Sequence, residues 1–495
     1  MKKLVGIIGA ALPLLCSALS IFAQTSVALP QNWQHLDLMA DGFFGISTNR
    51  AYTELLKGKK GKEVLVAVID NGVDTNHIDL RPQLLSKKKV LGWSFLGSKN
   101  GNVYQETLEL TRLFREGKQQ ATAYQAALQK TRQSYQYLNT MKLVLDTIIQ
   151  AIGPEQVTVE TFKRYMPETE LQNGVKATVV ADLNKNPDFN AMKAEVHAAV
   201  IHFREQLDYA LNVAFDPRPS LVGDRIMDLA QRDYGTSDVM GPAADHGSHV
   251  SGLIGATRNN GIGIDGVADH VKIMNIRAVP NGDERDKDVG NAIRYAVDHG
   301  ARVINMSFGK AFSPDKKFVD EAVRYAMQKD VLMIHAAGNE STDLDHEGTY
   351  YPSKNYADEK GSAGAWIQVG ASGSVDDKTL VASFSNYGQA CVDVFAPGVD
   401  LYSTVPNSAY KLMSGTSMAA PVVAGLAALI RSHYPKLPAG AVKDIIIKTV
   451  TKVNHPVEVV RNGKKITIPF SEVCVSGGIV NAYEALKLAS SYNKR

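Results

Sequence analysis

The chain has 495 residues, of which 44% are hydrophobic and 21% are charged. These proportions are typical of a soluble globular protein with a substantial core, and the length allows one to three domains. The formal net charge of +3 is too small to indicate nucleic acid as a partner. We interpret the lysine-rich stretches 57–62 and 87–89 as solvated loops.

The N-terminus has the layout of a secretory signal peptide. Lys2 and Lys3 precede an apolar run at 4–22, and the small Ala23 is followed by polar residues. This order of a basic start, an apolar run and a small residue is typical of an exported chain. We therefore predict a signal peptide at 1–23, a secreted or periplasmic location, and no membrane span after cleavage. A permanent anchor is the alternative, because the run is near the length that spans a bilayer.

Cys391 and Cys474 are the cysteines that remain after the predicted signal peptide. Two cysteines are too few for the disulfide framework of a small secreted scaffold. The sequence leaves one bridge and two buried thiols both open, and we favour the thiols.

From about residue 64 the sequence alternates short apolar runs with helical patterns. Spacing predicts one helix around 289–297 and a second one capped by Ser313-Pro314. Ligands on a parallel sheet bind at the carboxyl ends of its strands. The alternation predicts an α/β fold with a mainly parallel sheet covered by helices. The apolar runs, which are typical of strands buried on both faces, are 64–69, 271–276, 303–306, 331–334, 367–369 and 392–395.

Residues 98–238 depart from this alternation. Apolar residues recur at spacings of three, four and seven from Tyr124 to Ile149 and from Phe189 to Leu211. Two long amphipathic helices separated by a stretch with proline and asparagine predict an antiparallel helical hairpin. We interpret the stripes as the core of a helical insertion rather than as a cofactor site.

Polar residues follow several of the predicted strands. Asp70 comes directly after the first apolar run, and taken alone it is more often a turn residue than a catalyst. His246 and His249 open a predicted helix, but their spacing and the lack of an intervening glutamate argue against zinc. Asn339 follows the run at 331–334, so it lies beyond the carboxyl end of another predicted strand, as Asp70 does.

The stretch from Ser414 to Ile430 begins with hydroxyl residues and continues as a small, apolar helix. Pro421 is tolerated best in a first helical turn, which places the helix start near Met418. Hydroxyls at a helix start are either ordinary caps or hold a serine where free N–H groups favour developing negative charge. The sequence around Ser417 leaves both readings open by itself.

Taken together, these segments resemble the subtilisin-like serine proteases. They occur in the family's order of aspartate, histidine and serine. The resemblance covers residues 61–97 and 239–489, and it implies a subtilisin-like peptidase domain with 24–60 as its N-terminal lead-in. The insertion at 98–238 is the largest departure from the family pattern. The matching segments are VAVIDNGVD, HGSHVSG, NMSFG, AAGNE and SGTSMAAPVVAG.

The resemblance implies a serine endopeptidase that acts on proteins or peptides through an acyl-enzyme. Ser417 would be the nucleophile, His246 its general base, and Asp70 the carboxylate that orients His246. Asn339 would donate its side-chain amide to the oxyanion, together with the backbone N–H of Ser417. Asn71 stands where the family more often has a hydroxyl residue, a change that leaves this chemistry intact.

The resemblance also implies a substrate cleft. One segment would form an edge that pairs with an extended peptide, and a second segment would form a wall of the primary pocket. Small wall residues and the absence of a buried acid predict large apolar side chains before the scissile bond, with a weaker tolerance for lysine. The implied residues are Ser307, Phe308 and Gly309 for the edge, Ala336, Ala337 and Gly338 for the wall, and Glu340 for the rim.

Subtilisin-like proteases often bind structural calcium, and one such site has counterparts here. Asp79 and Asn260 would supply side-chain oxygens, and the carbonyls of Arg258, Ile262 and Ile264 would complete a shell suited to a hard cation. The family's N-terminal ligand has no clear counterpart. No organic cofactor is implied.

Two other readings remain beside the enzyme. The chain would be either a binding protein on an inactive protease scaffold or an adhesin-like surface protein that works through its insertion. In the enzyme, we expect the insertion to be a wall or lid near Ser417, with self-association and passive elaboration as alternatives. The short stretch between Gln24 and Val64 leads us to expect no separately folded inhibitory pro-domain.

Overall fold

The computed structural model describes residues 29–86, 89–118, 120–185 and 187–492. The predicted signal peptide at 1–23 lies outside these ranges. Within them, no helix has both the length and the apolar character needed to cross a bilayer. The described residues form a larger unit of Leu29–Glu109 with Pro217–Arg495, and a helical unit that includes Leu110–Asp216.

The larger unit contains seventeen strands among the described residues. They are β1 (Val64–Asp70), β2 (Leu85–Ser86), β3 (Lys89–Val90), β4 (Gly92–Ser94), β5 (Gly97–Ser98), β6 (Gly101–Asn102), β7 (Val271–Arg277), β8 (Val303–Met306), β9 (Leu332–Ala336), β10 (Trp366–Ser372), β11 (Val394–Pro397), β12 (Leu401–Val405), β13 (Ala409–Met413), β14 (Thr451–Lys452), β15 (Pro456–Arg461), β16 (Lys464–Pro469) and β17 (Gly478–Ile479).

The α-helices vary from single turns to one long rod. They are α1 (Leu38–Asp41), α2 (Thr48–Arg50), α3 (Arg81–Leu84), α4 (Glu109–Arg115), α5 (Ala121–Ile152), α6 (Val159–Arg164), α7 (Glu170–Leu183), α8 (Phe189–Glu205), α9 (Arg218–Leu221), α10 (Asp245–Gly255), α11 (Asp286–Asp298), α12 (Lys316–Gln328), α13 (Thr416–His433), α14 (Ala439–Lys448) and α15 (Ala482–Tyr492).

The central sheet of the larger unit has nine strands in the order β14-β17-β11-β10-β9-β8-β1-β7-β4. All neighbouring pairs are parallel except β14 with β17. The prediction of an α/β fold with a mainly parallel sheet is confirmed. The predicted runs are correct to within a few residues; for example, the run at 331–334 forms the strand Leu332–Ala336.

The central strand β1 shows why these strands read as continuous apolar runs. Val66 and Val68 belong to a core cluster that includes α10 and α13, whereas Ala67 and Ile69 belong to a second cluster with α11 and α12. Side chains alternate between the faces of a strand, so a sheet covered on both faces needs apolar residues at every position.

Residues before β1 belong to the same core. Trp33 and Ile46 are buried in the cluster that contains Val66. The same segment includes α2, which is followed by a π-helical turn at Ala51–Leu55. One predicted cap is wrong, because α12 begins at Lys316 and the Ser313 hydroxyl donates instead to Asp286 Oδ2 at 3.0 Å.

The flanks of the predicted insertion pack with the sheet rather than with the helical unit. Arg218, which is fully buried, donates two hydrogen bonds to Asp288 of α11 at 2.6 and 2.7 Å. The Tyr234 hydroxyl donates to the same carboxylate at 2.6 Å. A buried arginine with bidentate partners fixes its segment firmly, so residues 217–238 belong to the larger unit.

The helical unit contains the two predicted long helices. Tyr124 donates to the carbonyl of Leu211, and Asp146 lies 3.4 Å from His197. Because early residues of α5 contact late residues of the α8 segment, the two helices run antiparallel, as predicted. Fully buried residues of α5, α6 and α7, among them Leu145, Phe162 and Val179, form the centre of its core.

Candidate active site

Asp70 and His246 meet at the carboxyl edge of the sheet. Asp70 ends β1 and is 2% exposed, and its Oδ1 lies 2.8 Å from Nδ1 of His246 in the first turn of α10. The same Oδ1 accepts the backbone N–H of Asn71 at 2.7 Å. A carboxylate only accepts, so Nδ1 of His246 carries the proton and Nε2 is left as the basic nitrogen.

The turn after β1 and the start of α10 are tied to each other. Oδ1 of Asn71 accepts the Gly247 N–H at 2.9 Å, and Oγ of Ser248 accepts the Asp74 N–H at 2.8 Å. A Cβ on Gly247 would collide with the Gly72 carbonyl and lie 3.2 Å from Cβ of Asp70. Glycine at this position therefore permits the close approach that brings His246 to Asp70.

The surroundings of His246 set its basicity. Burial lowers the pKa of His246, but the charge and hydrogen bond of Asp70 outweigh burial and raise its pKa above the ordinary value of 6.5. The side chain remains 31% exposed, so it is open to a ligand. A neutral imidazole with this pKa can accept a proton near pH 7.

Ser417 lies in the first turn of α13, which begins at Thr416, two residues before the predicted start near Met418. The first N–H groups of a helix have no acceptor within the helix, so the Ser417 N–H is available to a ligand. Its hydroxyl donates to the carbonyl of Ser307 at 3.0 Å. No hydrogen bond joins Ser417 to His246 among the described residues, so in this structure the hydroxyl is bonded to Ser307 rather than to the histidine.

Pro421 lies in the second turn of α13, inside the helix rather than at its first turn. Proline has no N–H, so the carbonyl of Ser417, four residues earlier, lacks its usual helical donor. The Ser307 hydroxyl supplies that donor at 2.9 Å, and it is itself held by Nδ2 of Asn305 at 3.0 Å. Because of the proline, the first turn of α13 is completed by a hydrogen bond from Ser307, which directly follows β8, rather than by a donor of its own helix.

Hydrogen bonds from Thr416 fix the orientation of the Asn339 side-chain amide. Oδ1 of Asn339 accepts the backbone N–H of Thr416 at 2.9 Å and its hydroxyl at 3.0 Å. The Thr416 hydroxyl also accepts the Gly338 N–H at 3.1 Å. Because its carbonyl oxygen is held by donors, Asn339 presents its NH₂ group on the other side, next to the start of α13. The sequence did not single out Thr416, although it lies within the SGTS motif.

A cavity of about 330 Å³ lies beside His246 in the larger unit. Tyr104 and Asn281 line it together with Asp70 and Ser307. The Asn281 N–H donates to the carbonyl of Tyr104 at 2.7 Å. Sequence reasoning missed Tyr104 and Asn281, because neither belongs to a motif and only the fold pairs their segments.

The residues implied for the substrate cleft have different surroundings. Phe308, Ala336 and Ala337 are buried in core clusters, so they contribute backbone rather than side chain to any pocket. Gly309 and Gly338 lack side chains. Glu340 accepts a hydrogen bond from Asn386 at 2.6 Å, which ties its carboxylate to the neighbouring loop.

His249 and the two cysteines stand apart from this site. Nε2 of His249, which is fully buried, lies 3.0 Å from the carbonyls of Leu401 and Lys411. Burial lowers its pKa to about 4, so His249 stays neutral as a structural residue. Cys391 and Cys474 are both free thiols, which agrees with the reading we favoured, although Cys391 is only half-buried.

The implied calcium ligands form a hydrogen-bonded cluster instead. Asp79, which is fully buried, accepts from Nδ2 of Asn260 at 2.7 Å, from the Ile264 N–H at 3.3 Å and from the Tyr410 hydroxyl at 3.3 Å. Nδ2 and a backbone N–H cannot ligate a cation, so this arrangement does not fit calcium. The described residues contain no group of three or more carboxylate, histidine or cysteine side chains that could hold a metal.

Further hydrogen bonds hold the loop at 258–266 and orient the Asn260 amide. The Arg258 guanidinium donates to the Gly266 carbonyl at 2.6 Å. The Ile262 N–H donates to Oδ1 of Asn260 at 3.1 Å, which fixes the amide with its nitrogen towards Asp79.

The fold and this site define the class of the protein. It is a mainly parallel α/β protein with an Asp–His pair, a helix-start serine and an oriented asparagine amide at one edge of the sheet. A family model described as the subtilase family, peptidase S8, matches residues 61–463. The chain belongs to the subtilase family, as the sequence resemblance predicted.

Individual relatives match about two-fifths of the chain. The thermophilic serine proteinase of Bacillus sp. (strain AK1) is 41% identical over 42% of this chain and 46% of its own length. Thermitase of Thermoactinomyces vulgaris is 38% identical over 38% of this chain and 61% of its own. The chain thus spans about half of the length of the curated relatives it matches.

A solved structure extends the comparison to nearly the whole chain. The structure of proteases from Pseudoalteromonas arctica PAMC 21717 has a TM-score of 0.52 and covers 93% of this chain and 98% of that chain. Its sequence is 20% identical, so the likeness concerns the fold.

Proposed function

We propose that this protein is a serine endopeptidase whose triad is Ser417, His246 and Asp70. The observation that carries the proposal is the 2.8 Å hydrogen bond between Asp70 and Nδ1 of His246, beside a serine at a helix start. Membership of the subtilase family supports the same chemistry. The peptidase domain would comprise residues 61–97 and 239–489, with 24–60 as its lead-in.

The mechanism follows from the hydrogen bonds of these residues. On substrate binding the Ser417 hydroxyl turns from the Ser307 carbonyl to Nε2 of His246, which takes its proton as Oγ attacks the scissile carbonyl. Asp70 stabilises the imidazolium. His246 then gives the proton to the leaving amine, and water hydrolyses the acyl-enzyme by the same route.

The developing oxyanion needs donors that are already in place. The Ser417 N–H and the NH₂ group of Asn339 would supply them, since Thr416 holds the carbonyl oxygen of Asn339 on the opposite side. Donors held in this way need no reorganisation during the reaction, which is the basis of oxyanion stabilisation. Extended peptides would pair with the backbone of Ser307–Gly309.

The proposal is tested with a small alkyl fluorophosphonate, which modifies an activated serine. We expect labelling of the folded protein at Ser417, and loss of labelling and of casein hydrolysis in Ser417→Ala. Ser414→Ala is the matched control, since Ser414 lies in the same motif but is exposed and bonded to Asp400. Folded wild-type protein that neither labels nor hydrolyses casein would favour the inactive binding scaffold.

We further propose that the chain is exported, on the layout of residues 1–23, and that the helical unit restricts which proteins reach Ser417. Replacing residues 110–216 with a short glycine-rich linker leaves the flanks that pack with the sheet. We expect the rate on a large unfolded protein to rise relative to a small peptide. Unchanged relative rates with a changed oligomeric state would instead support self-association.

A further inference from the structure

One side chain outside every family motif lies between the two walls implied for the primary pocket. A Cβ built on Gly309 would clash with Cε1 of Tyr350 and lie 2.5 Å from its Cζ. A Cβ built on Gly338 would lie 3.1 Å from Cε2 of the same ring. The ring of Tyr350 therefore reaches both glycines, one in each wall.

The backbone holds this ring in place. Tyr351 and Lys310 exchange two backbone hydrogen bonds, of 3.0 and 2.9 Å, directly after Gly309. The pairing fixes the preceding residue, Tyr350, against the edge segment. The ring also packs near the buried His335, with 5.7 Å between ring centroids. A ring with contacts on three sides and a paired backbone at its base is not free to turn away at low cost.

The Gly338 wall also carries polar side chains, since a Cβ built on Gly338 would clash with Nδ2 of Asn386 and lie 2.5 Å from Oε2 of Glu340. The side chains of Ala336, Ala337 and Phe308 are buried in core clusters. Asn386 and Glu340 lie close to Gly338, whereas the Tyr350 ring lies close to both Gly309 and Gly338. The neighbouring cavity beside His246 is lined by Ser307 but by neither glycine.

We propose that Tyr350 is a specificity-determining residue that fills the primary pocket, so that the enzyme cleaves after small residues such as glycine, alanine and serine. This inference rests on the proposed protease function. It reverses the preference for large apolar residues that the small wall residues predicted, because the ring occupies the volume that a large side chain needs. A second aromatic ring cannot share that volume without steric overlap.

The test compares peptide substrates that differ only in alanine or phenylalanine before the scissile bond. We expect the wild type to have the higher kcat/KM for alanine. Tyr350→Ala and Tyr350→Gly should raise the phenylalanine-to-alanine ratio at least tenfold, within the range that pocket shape controls. Tyr350→Phe keeps the ring and should keep the wild-type ratio.

Tyr356→Ala is the matched control. Tyr356 lies in the same loop region, where its ring packs under Arg324 at 3.7 Å, and its loss should leave the ratio unchanged. A wild type that prefers phenylalanine would overturn the inference, as would folded Tyr350→Gly with an unchanged ratio. Fluorophosphonate labelling of the wild type and of each variant distinguishes the two failures. If only the pocket inference is wrong, Ser417 is still labelled. If the protease function is wrong, the wild type is not labelled.

Discussion

The two halves of the candidate site are prepared to different degrees. On the histidine side, Nδ1 of His246 already donates to Asp70 at 2.8 Å, and Asn71 ties the two elements that carry them. On the serine side, the Ser417 hydroxyl donates to the Ser307 carbonyl and has no bond to His246. The base is therefore preorganised, while the hydroxyl of the nucleophile is bonded to another acceptor.

This difference follows from how each half is built. Asp70 and His246 are joined through a strand end and a helix start that meet at Gly247, a contact that leaves little freedom. Ser417 has a small side chain with one rotatable bond at a helix start. Catalytic hydrogen bonds are often long or misaligned without substrate and tighten when it binds. The geometry of the serine side is thus compatible with catalysis after substrate enters.

The largest expected effect comes from removing the interaction between Asp70 and His246. Asp70→Asn should lower kcat by about 10⁴-fold, because the amide no longer fixes the tautomer or stabilises the imidazolium. Activity needs neutral His246, so kcat/KM of the wild type should fall as pH drops through a pKa above 6.5. Removing the carboxylate that raises this pKa should move the acid limb to lower pH. A pH–rate profile with an unmoved limb would contradict the assignment of His246.

The oxyanion donors of the serine side should have the next largest effect. Asn339→Ala should lower kcat by about 10²- to 10³-fold with little change in KM, since the amide acts in the transition state. Thr416→Val keeps the shape but removes the hydroxyl that orients Asn339, and we expect a smaller loss, about tenfold. A loss in Thr416→Val that persists when Asn339 is already alanine would show that Thr416 acts by another route.

A smaller effect should reveal the link between Ser307 and Pro421. Ser307→Ala leaves the Ser417 carbonyl without a donor and should cost about 1–3 kcal/mol of unfolding free energy. Pro421→Ala supplies a helical N–H to the same carbonyl, so in the Ser307→Ala background it should recover part of that loss. Chemical denaturation of the four proteins in this double-mutant cycle measures the coupling. Strictly additive effects would mean that the two residues do not share this carbonyl.

The smallest expected effect concerns calcium. Because hydrogen bonds from Asn260, Ile264 and Tyr410 already occupy the Asp79 carboxylate, a chelator should not change the melting temperature. Tyr410→Phe removes one of these donors and should lower stability by about 1 kcal/mol, with or without calcium. A melting temperature that rises with calcium in the wild type would show that the loop rearranges to bind the ion.

Several parts of the molecule could be predicted because their signals are local. Strands covered on both faces need apolar residues at every position. Runs such as 64–69 and 303–306 therefore indicated strands of a covered parallel sheet. The motifs around Asp70, His246, Asn339 and Ser417 each lie at a strand or helix end. Carboxyl ends of parallel strands share one edge, so the sequence already implied that these residues meet.

Other features were decided by the tertiary structure alone. The sequence showed that Pro421 disfavours a helix interior, but only the fold places Ser307 where it can supply the missing hydrogen bond. The motif residues Asp79 and Asn260 suggested an ion, whereas Tyr410, far away in the chain, supplies a donor in its place. Tyr350 carried no signal, because its role depends on the distance between Gly309 and Gly338. Local patterns determine elements and their chemistry, while contacts between distant segments determine which volumes are filled and which polar groups are satisfied.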